Sequence, residues 1–519
     1  MTERPPLPLW AAVLVAAGAG PVMSAAYPDR GWWPLAFVAI AVLLLALIGR
    51  RFWSAALVGL VFGLGYYLTL VTWTSTFLGW VPMTALCSLM GVWFALGSGL
   101  IAWAYRWLPR AWPGAGGRMV LLPIAIAGLW TAREAVASVW PYGGFAWGRA
   151  GESLIDAPVA PLYAWVGISG MTFLMVWLVA LTIEACRYRG VPALQRAIAP
   201  IGLAAAMLIW PAWPVPTTGS LRIAMVQGDG PAGYFEHRDP GALITAQYLA
   251  TAPLFDADVE ADLVLWPEGS SDWDPETDAG TARIWDDVSA RMGAPLLAQA
   301  TTEHDGNDYN TAILWQAGSG ALDRYDKRHP VPFGEYIPDR DFFHALAPDL
   351  VDLVQRGFTP GTTDPVMSIP ARSGAVEAAV NICYDIVDDA LLRESVRDGG
   401  RIILASSNTA DFGFSDESVQ QLAIARIRAI ELGRSVANVS TVGITAVIAP
   451  DGAVTASLPR YTAGTIVADV PLADTVTPDA VAGADIELLL GGLGIALLLG
   501  GGLAGGVTRR EARETAPRR

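Results

Sequence analysis

Eight stretches of this chain are apolar for long enough to cross a lipid bilayer, which limits its possible folds more than any other feature. A helical crossing needs about 20 apolar residues, because each adds about 1.5 Å across a hydrocarbon core of about 30 Å. Such runs fall near 9–27, 33–49, 53–73, 80–104, 119–138, 158–185, 196–215 and 486–507. The chain carries 21 Trp, which suits this reading because indole rings collect at membrane–water interfaces.

Arginines give the runs a direction. Arg4 precedes the first run, and Arg50 and Arg51 separate the second from the third. Arg106, Arg110 and Arg118 lie between the fourth and fifth, and Arg187, Arg189 and Arg196 between the sixth and seventh. Arg509, Arg510, Arg513, Arg518 and Arg519 follow the last. All these segments share one side of the bundle, and an excess of basic residues marks the cytoplasmic side. The expected organisation is a membrane domain over 1–215, an extracytoplasmic domain over 216–485, a last crossing over 486–507 and a basic cytoplasmic tail over 508–519. Both termini are then cytoplasmic. The first run has a weakly basic start and further runs follow it directly, which argues against a cleaved signal peptide.

Charges inside the runs are costly and often functional; Arg133, Glu134 and Glu184 either serve such a role or pair and reach the interface. The outward loop 140–149 reads either as a lipid-headgroup site, with Trp147 and Arg149, or as an interfacial aromatic anchor.

Residues 216–485 carry short strand-like runs at Leu221–Gln227, Asp262–Trp266, Pro295–Ala300, Thr311–Gln316, Val376–Cys383, Arg401–Ser406, Ser435–Ser440, Thr445–Ala449 and Thr465–Val470. Helical patterns interleave at 280–292, 386–397 and 416–432, the last with Arg426 and Arg428 on its exposed side. A sheet covered by helices follows, with no internal repeat evident. The segments 269–280 and 338–364 read as loops. The second is greasy, with Phe342, Phe343, Leu346, Leu350 and Phe358. It dips into the bilayer surface or covers an acyl chain, or else it packs on its own domain. The net charge of −15 comes from acids concentrated in this region; there is no basic stripe, and nucleic acid is not an expected partner.

Of three cysteines, only Cys383 lies in this stretch, so no intramolecular disulfide can form there. Acyl transfer through a covalent intermediate needs a nucleophile, a base and an oxyanion stabiliser. Cys383 ends a strand and is the candidate nucleophile. Glu268 becomes a competent base if burial raises its pKa. Lys327 can place positive charge beside a developing oxyanion, and the backbone N–H of Tyr384 can donate to it. Each residue also has a plain structural reading, as a small buried hydrophobe, a turn carboxylate and a surface charge. His329 offers a weaker Cys–His pairing. Ser270 lacks the Gly-x-Ser-x-Gly setting of a hydrolase nucleophile. No His or Cys spacing suits a metal.

Several motifs resemble those of the apolipoprotein N-acyltransferase family, a membrane-bound branch of the nitrilase superfamily. They are Trp266-Pro267-Glu268, Lys327 with Val331-Pro332-Phe333-Gly334-Glu335-Tyr336-Ile337-Pro338, and Asn381-Ile382-Cys383-Tyr384. Ser407-Asn408, Phe412-Gly413, the run Ala425–Glu431 and Asn438 through Ile448 extend the likeness. The resemblance implies an α/β nitrilase-like αββα sandwich inserted in a polytopic helical membrane bundle of about eight spans. It implies a Glu268–Lys327–Cys383 triad supported by Glu335, Tyr384 and Asp385, with no cofactor and no metal. Asp385 stands where the family has Glu, and Asp411 where an aromatic is expected.

The implied reaction takes an acyl chain from a membrane phospholipid onto Cys383 as a thioester. It then passes the chain to the α-amino group of a diacylglyceryl-cysteine on an apolipoprotein, in a monomeric enzyme of the bacterial cytoplasmic membrane. The alternative is a membrane-anchored nitrilase-type amidase that passes the acyl group to water.

Overall fold

Alternating side chains along the strands of the second half of the chain sort into two apolar faces, and that sorting sets the architecture. In β1 (Thr217–Gln227), Leu221, Ile223 and Met225 turn one way, while Ala224 and Val226 turn the other. The computed structural model describes residues 4–257 and 259–514, so Arg518 and Arg519 of the expected tail lie outside the described residues. It divides into one unit formed by the chain up to Ala212 and from Ala482 onward, and a second, Trp213–Val481.

The second unit holds two six-stranded sheets. The first adds β2 (Leu263–Leu265), β3 (Leu296–His304), β4 (Asn307–Gln316), β5 (Gly320–Asp326) and β12 (Gly464–Ala473) to β1, in the order β12-β1-β2-β3-β4-β5. The other contains β6 (Val366–Ala371), β7 (Gly374–Ile382), β8 (Ile402–Ser407), β9 (Val436–Ser440), β10 (Thr445–Ile448) and β11 (Val454–Leu458), in the order β11-β10-β9-β8-β7-β6. In each sheet three adjacent strands are parallel (β1-β2-β3 and β7-β8-β9) and the outer pairings are antiparallel. The two halves therefore repeat one topology, a repeat that the sequence does not display.

Leu221, Ile223 and Leu263 of the first sheet meet Val376, Val380 and Leu404 of the second in one buried cluster. The outer face of the first sheet packs Val226, Val264 and Leu296 with Ile244 and Leu254 of the helix Ala242–Asp256 and Trp285 and Val288 of the helix Ala279–Met292. This is a nitrilase-like αββα sandwich.

Several local expectations need correction. The helix Ala242–Asp256 and the strands β5, β6 and β11 carry little sequence signal, because edge strands such as β11 are half exposed and correspondingly polar. The segment 338–364 contains the short helices Arg340–Leu346 and Pro348–Val351. Arg428 is buried at 1% exposure, on the face of the helix Glu417–Leu432 that was expected to meet solvent. Its guanidinium donates to Ile386 O and Val387 O and pairs with Glu431 and Asp389, so its charge is compensated inside.

Among the described residues, five helical stretches are long and apolar enough to cross a membrane: Phe52–Leu70, Trp80–Ala111, Gly117–Val139, Ala160–Arg187 and Pro478–Ala504. Leu9–Ser24, Pro34–Leu47 and Ala193–Ile209 are apolar but shorter. Glu134 is buried and accepts from Trp130 Nε1 (2.8 Å), Arg133 (2.8 Å), Ala150 N (3.1 Å) and Thr172 Oγ1 (2.9 Å). It thereby pulls the segment after Val139 into the unit. Glu184 pairs with Arg118 and Arg187.

Gly128, in the helix Leu122–Val139, faces the last helix so closely that a Cβ would lie 2.6 Å from Leu490 O and 2.7 Å from Gly494 Cα. Small residues permit such backbone approach between membrane helices. Gly128→Val is expected to cost about 3 kcal/mol or more, because backbone cannot yield as a side chain can. A melting curve in detergent would read this as a lowered transition, and an unchanged curve would refute the close approach.

Candidate active site

Three strand ends converge on one buried cluster of charge. Glu268 lies just beyond β2, Lys327 directly follows β5, and Cys383 directly follows β7. At Cys383 the chain leaves its strand through φ +51°, a left-handed conformation that is costly for a residue with a Cβ. The strand thus ends abruptly, and the thiol stands at the start of a one-turn 3₁₀ segment, Cys383–Val387.

Lys327 is 1% exposed, and its Nζ lies 2.8 Å from Glu335 Oε2. The same carboxylate oxygen accepts from Val331 N at 2.6 Å, which ties Glu335 back across its own turn. Asn310, on β4, bridges the two glutamates: its Nδ2 donates to Glu268 Oε1 at 2.8 Å and Glu335 Oε1 at 3.0 Å. The other oxygen of Glu268 accepts from Asn408 N at 2.9 Å. Asn310 sits in the middle of a strand where no motif marks it, and only the fold reveals its role.

Asp385 is fully buried; its Oδ2 accepts from Tyr325 OH (2.9 Å) and Ile382 N (3.1 Å) and so braces the turn that carries Cys383. Tyr384, between them, is half-buried. Asp411 accepts from Tyr234 N at 2.7 Å and secures a neighbouring loop. His329 binds Asp388 (3.1 Å) and is 53% exposed, a surface setting. Ser270 is buried in hydrogen bonds with the backbone of Gln299. Among the described residues no cluster of His, Cys, Asp or Glu could hold a metal ion.

The greasy segment divides. Phe342 is 60% exposed, and Phe343 sets its ring edge-on to Phe333 at 4.9 Å. Phe358 is buried, with its N–H on Glu335 O at 3.2 Å, so it supports the glutamate turn and offers no open surface. Trp147 and Arg149 are not the exposed headgroup or anchor residues expected. Both are buried in the first unit; Trp147 packs on Trp73 and Arg149 pairs with Glu152 at 3.1 Å. Tyr66 and Tyr67 reach the loop's carbonyls at Gly148 and Trp147, which keeps that loop inside.

The electrostatics are graded. Burial pushes the Glu268 carboxyl up, opposed by Lys327 and reinforced by Glu335. Burial works on Glu335 in the same direction, but the Lys327 ammonium and three hydrogen bonds outweigh it and hold Glu335 below the usual carboxylate range. Burial would lower Lys327; Glu335 and Glu268 more than offset it, so the ammonium stays charged. Burial and then Glu268 push the Cys383 thiol well above its ordinary value, against Lys327. Asp385 is pushed up to about 6 by burial. The arrangement therefore keeps Cys383 protonated at rest beside a carboxyl able to take that proton, with a fixed ammonium alongside.

Residues 19–181 match the family model described as the apolipoprotein N-acyltransferase N-terminal domain, and residues 222–477 match that of carbon-nitrogen hydrolase. Proteins named apolipoprotein N-acyltransferase align over most of this chain. That of Mycolicibacterium smegmatis is 29% identical, over 93% of this chain and 84% of its own. That of Pseudomonas putida is 28% identical, over 91% of this chain and 93% of its own. Among solved structures, an amidase from Nesterenkonia sp. is similar at 19% identity and TM-score 0.36, covering 50% of this chain and 94% of its own. Saccharomyces cerevisiae Nit3, of branch 10 of the nitrilase superfamily, is similar at 17% identity and TM-score 0.37, covering 52% of this chain and 95% of its own.

Proposed function

We propose, because this chain belongs to the apolipoprotein N-acyltransferase family, that it N-acylates bacterial lipoproteins through a thioester on Cys383. The observation that carries this reading is the Lys327 ammonium, 1% exposed and bonded to Glu335, which leaves Glu268 as the carboxyl free to exchange a proton. In the first half-reaction Glu268 takes the thiol proton as Cys383 attacks an ester carbonyl of a phospholipid. Lys327 and the N–H of Tyr384 stabilise the oxyanion, and the lysophospholipid leaves with the proton from Glu268. In the second, the free α-amino group of a diacylglyceryl-cysteine attacks the thioester and releases the thiol.

Both substrates are anchored in lipid, which accounts for a catalytic unit carried by apolar helices. The arginine pattern supports eight crossings, with 216–485 outside the cytoplasm and both termini within it. The exposed Phe342 and Leu346 suit a lid over an acyl chain, since water must be kept from a thioester.

Intact-mass measurement on enzyme incubated with phospholipid tests the scheme. A fatty-acyl mass on Cys383, removed by neutral hydroxylamine and passed to a diacylglyceryl-cysteinyl peptide, is the expected result. Release of free fatty acid with no peptide product would identify an amidase-like hydrolase instead.

A further inference from the structure

Glu417 opens the helix Glu417–Leu432 and is 2% exposed, yet its Oε2 is buried with no hydrogen-bond partner among the described residues. Burial of an unpartnered carboxyl oxygen is costly and marks a group awaiting a ligand or water. When ionised, Glu417 interacts electrostatically with both Cys383 and Glu268. Its helix joins that site through Ser418, which meets Thr409 at 3.5 Å, one residue after the Asn408 N–H that holds Glu268. The positive charge of Arg460 opposes that burial, but its guanidinium is already committed to Ser415 O at 2.6 Å and lies over the Phe414 ring.

We propose that Glu417 receives the α-ammonium group of the acceptor in the second half-reaction. The assignment rests on the acyl-enzyme scheme above.

Burial, then Glu268, raise the Glu417 carboxyl to about 8, against Arg460, so the empty site holds it largely protonated at neutral pH. An α-amino group titrates near the same value, at about 8. A docking ammonium supplies the missing counter-charge, and Glu417 ionises by releasing its proton to solvent. The ammonium then returns one proton to Glu417 and becomes a neutral amine. The amine nitrogen forms the bond to the thioester carbon, its second proton passes to Glu268, and the C–S bond breaks. Glu268 delivers that proton to the Cys383 sulfur. The products are the amide, the free thiol and a protonated Glu417, with the solvent proton as the net release.

The test is single-turnover decay of the Cys383 thioester in full-length enzyme, read by intact mass. Wild type, Glu417→Gln and Glu417→Asp are each challenged with a diacylglyceryl-cysteinyl peptide and, separately, with hydroxylamine, which is uncharged at neutral pH. Glu417→Gln is expected to slow the peptide reaction about 30-fold, the worth of a charge-assisted hydrogen bond, and to slow hydroxylamine by about threefold or less. Glu417→Asp, which keeps the charge, is expected to recover part of the peptide rate. If Glu417→Gln lowers both reactions in parallel, or neither, or if Asp recovers no more than Gln, the assignment is overturned. A wild-type enzyme that forms no thioester overturns the acylation scheme itself, an outcome distinct from a normal thioester with an unchanged peptide-to-hydroxylamine ratio.

Discussion

Replacing Cys383 with alanine is expected to remove acyl transfer by at least about 10³-fold, because Cys383 is the only thiol in 213–481 and the thioester cannot form without it. The other two cysteines, Cys87 and Cys186, belong to the other unit. The same position should separate activity from stability. Cys383 holds φ +51°, and a residue with a Cβ is strained there by about 1–2 kcal/mol. Glycine escapes that strain but loses about 0.5–1 kcal/mol more conformational entropy on folding. Cys383→Gly should therefore be as inactive as Cys383→Ala and yet more stable than it by about 0.5–1 kcal/mol, the reverse of the usual order of the two residues. Activity assays on both variants, with melting curves in one detergent, check this. A Gly variant that melts below the Ala variant would mean that the turn is not strained.

Two of the strand-end residues were legible because each closes an apolar run: Glu268 follows Trp-Pro after Asp262–Trp266, and Cys383 closes Val376–Ile382. Lys327 follows β5, which has little signal of its own, and stood out only beside the Val331–Pro338 motif. Polar residues at the ends of apolar strands stand out against the period-two pattern. Asn310 did not stand out, because it lies within β4, and its link to both glutamates depends on the pairing of β3, β4 and β5. Glu417 carries no mark of its own, because acidic side chains are common in the first turn of a helix. Arg428 looked exposed for a related reason: a charge on a helix is read as solvent-facing unless its partners, here Asp389, Glu431 and two carbonyls, are known. Trp147 and Arg149 show the same limit in the apolar unit, where a loop that reads as interfacial is drawn in by Tyr66, Tyr67 and Glu134. Local pattern identifies strands and their ends, whereas buried polar networks arise only when distant segments meet.

Glu335→Gln should reveal how the charges divide their work. In the intact site Glu335 pairs with Lys327 at 2.8 Å, and its negative charge also raises the pKa of Glu268. Removing that charge leaves Glu268 as the main counter-charge of a buried ammonium, so the Glu268 pKa must fall. A carboxylate held that way is a weaker proton acceptor, and acylation of Cys383 is expected to slow by about 10²–10³-fold. The acid limb of its pH–rate profile should move to lower pH, because Glu268 now ionises earlier.

Stability should follow the opposite member of the pair. The folded-state pKa of Glu335 lies below its ordinary 4.5, so its stabilisation is fully present above that value and fades as pH falls through the depressed one. Glu335→Gln should accordingly lose up to about 3 kcal/mol at neutral pH, the lower end for breaking a buried pair, since Glu268 compensates in part. The loss should shrink in acid. Pre-steady-state acylation across pH, paired with melting curves at neutral and acidic pH, measures both. An acid limb that stays in place would show that Glu268 does not feel Glu335, and the division into a fixed counter-ion and a mobile base would fail.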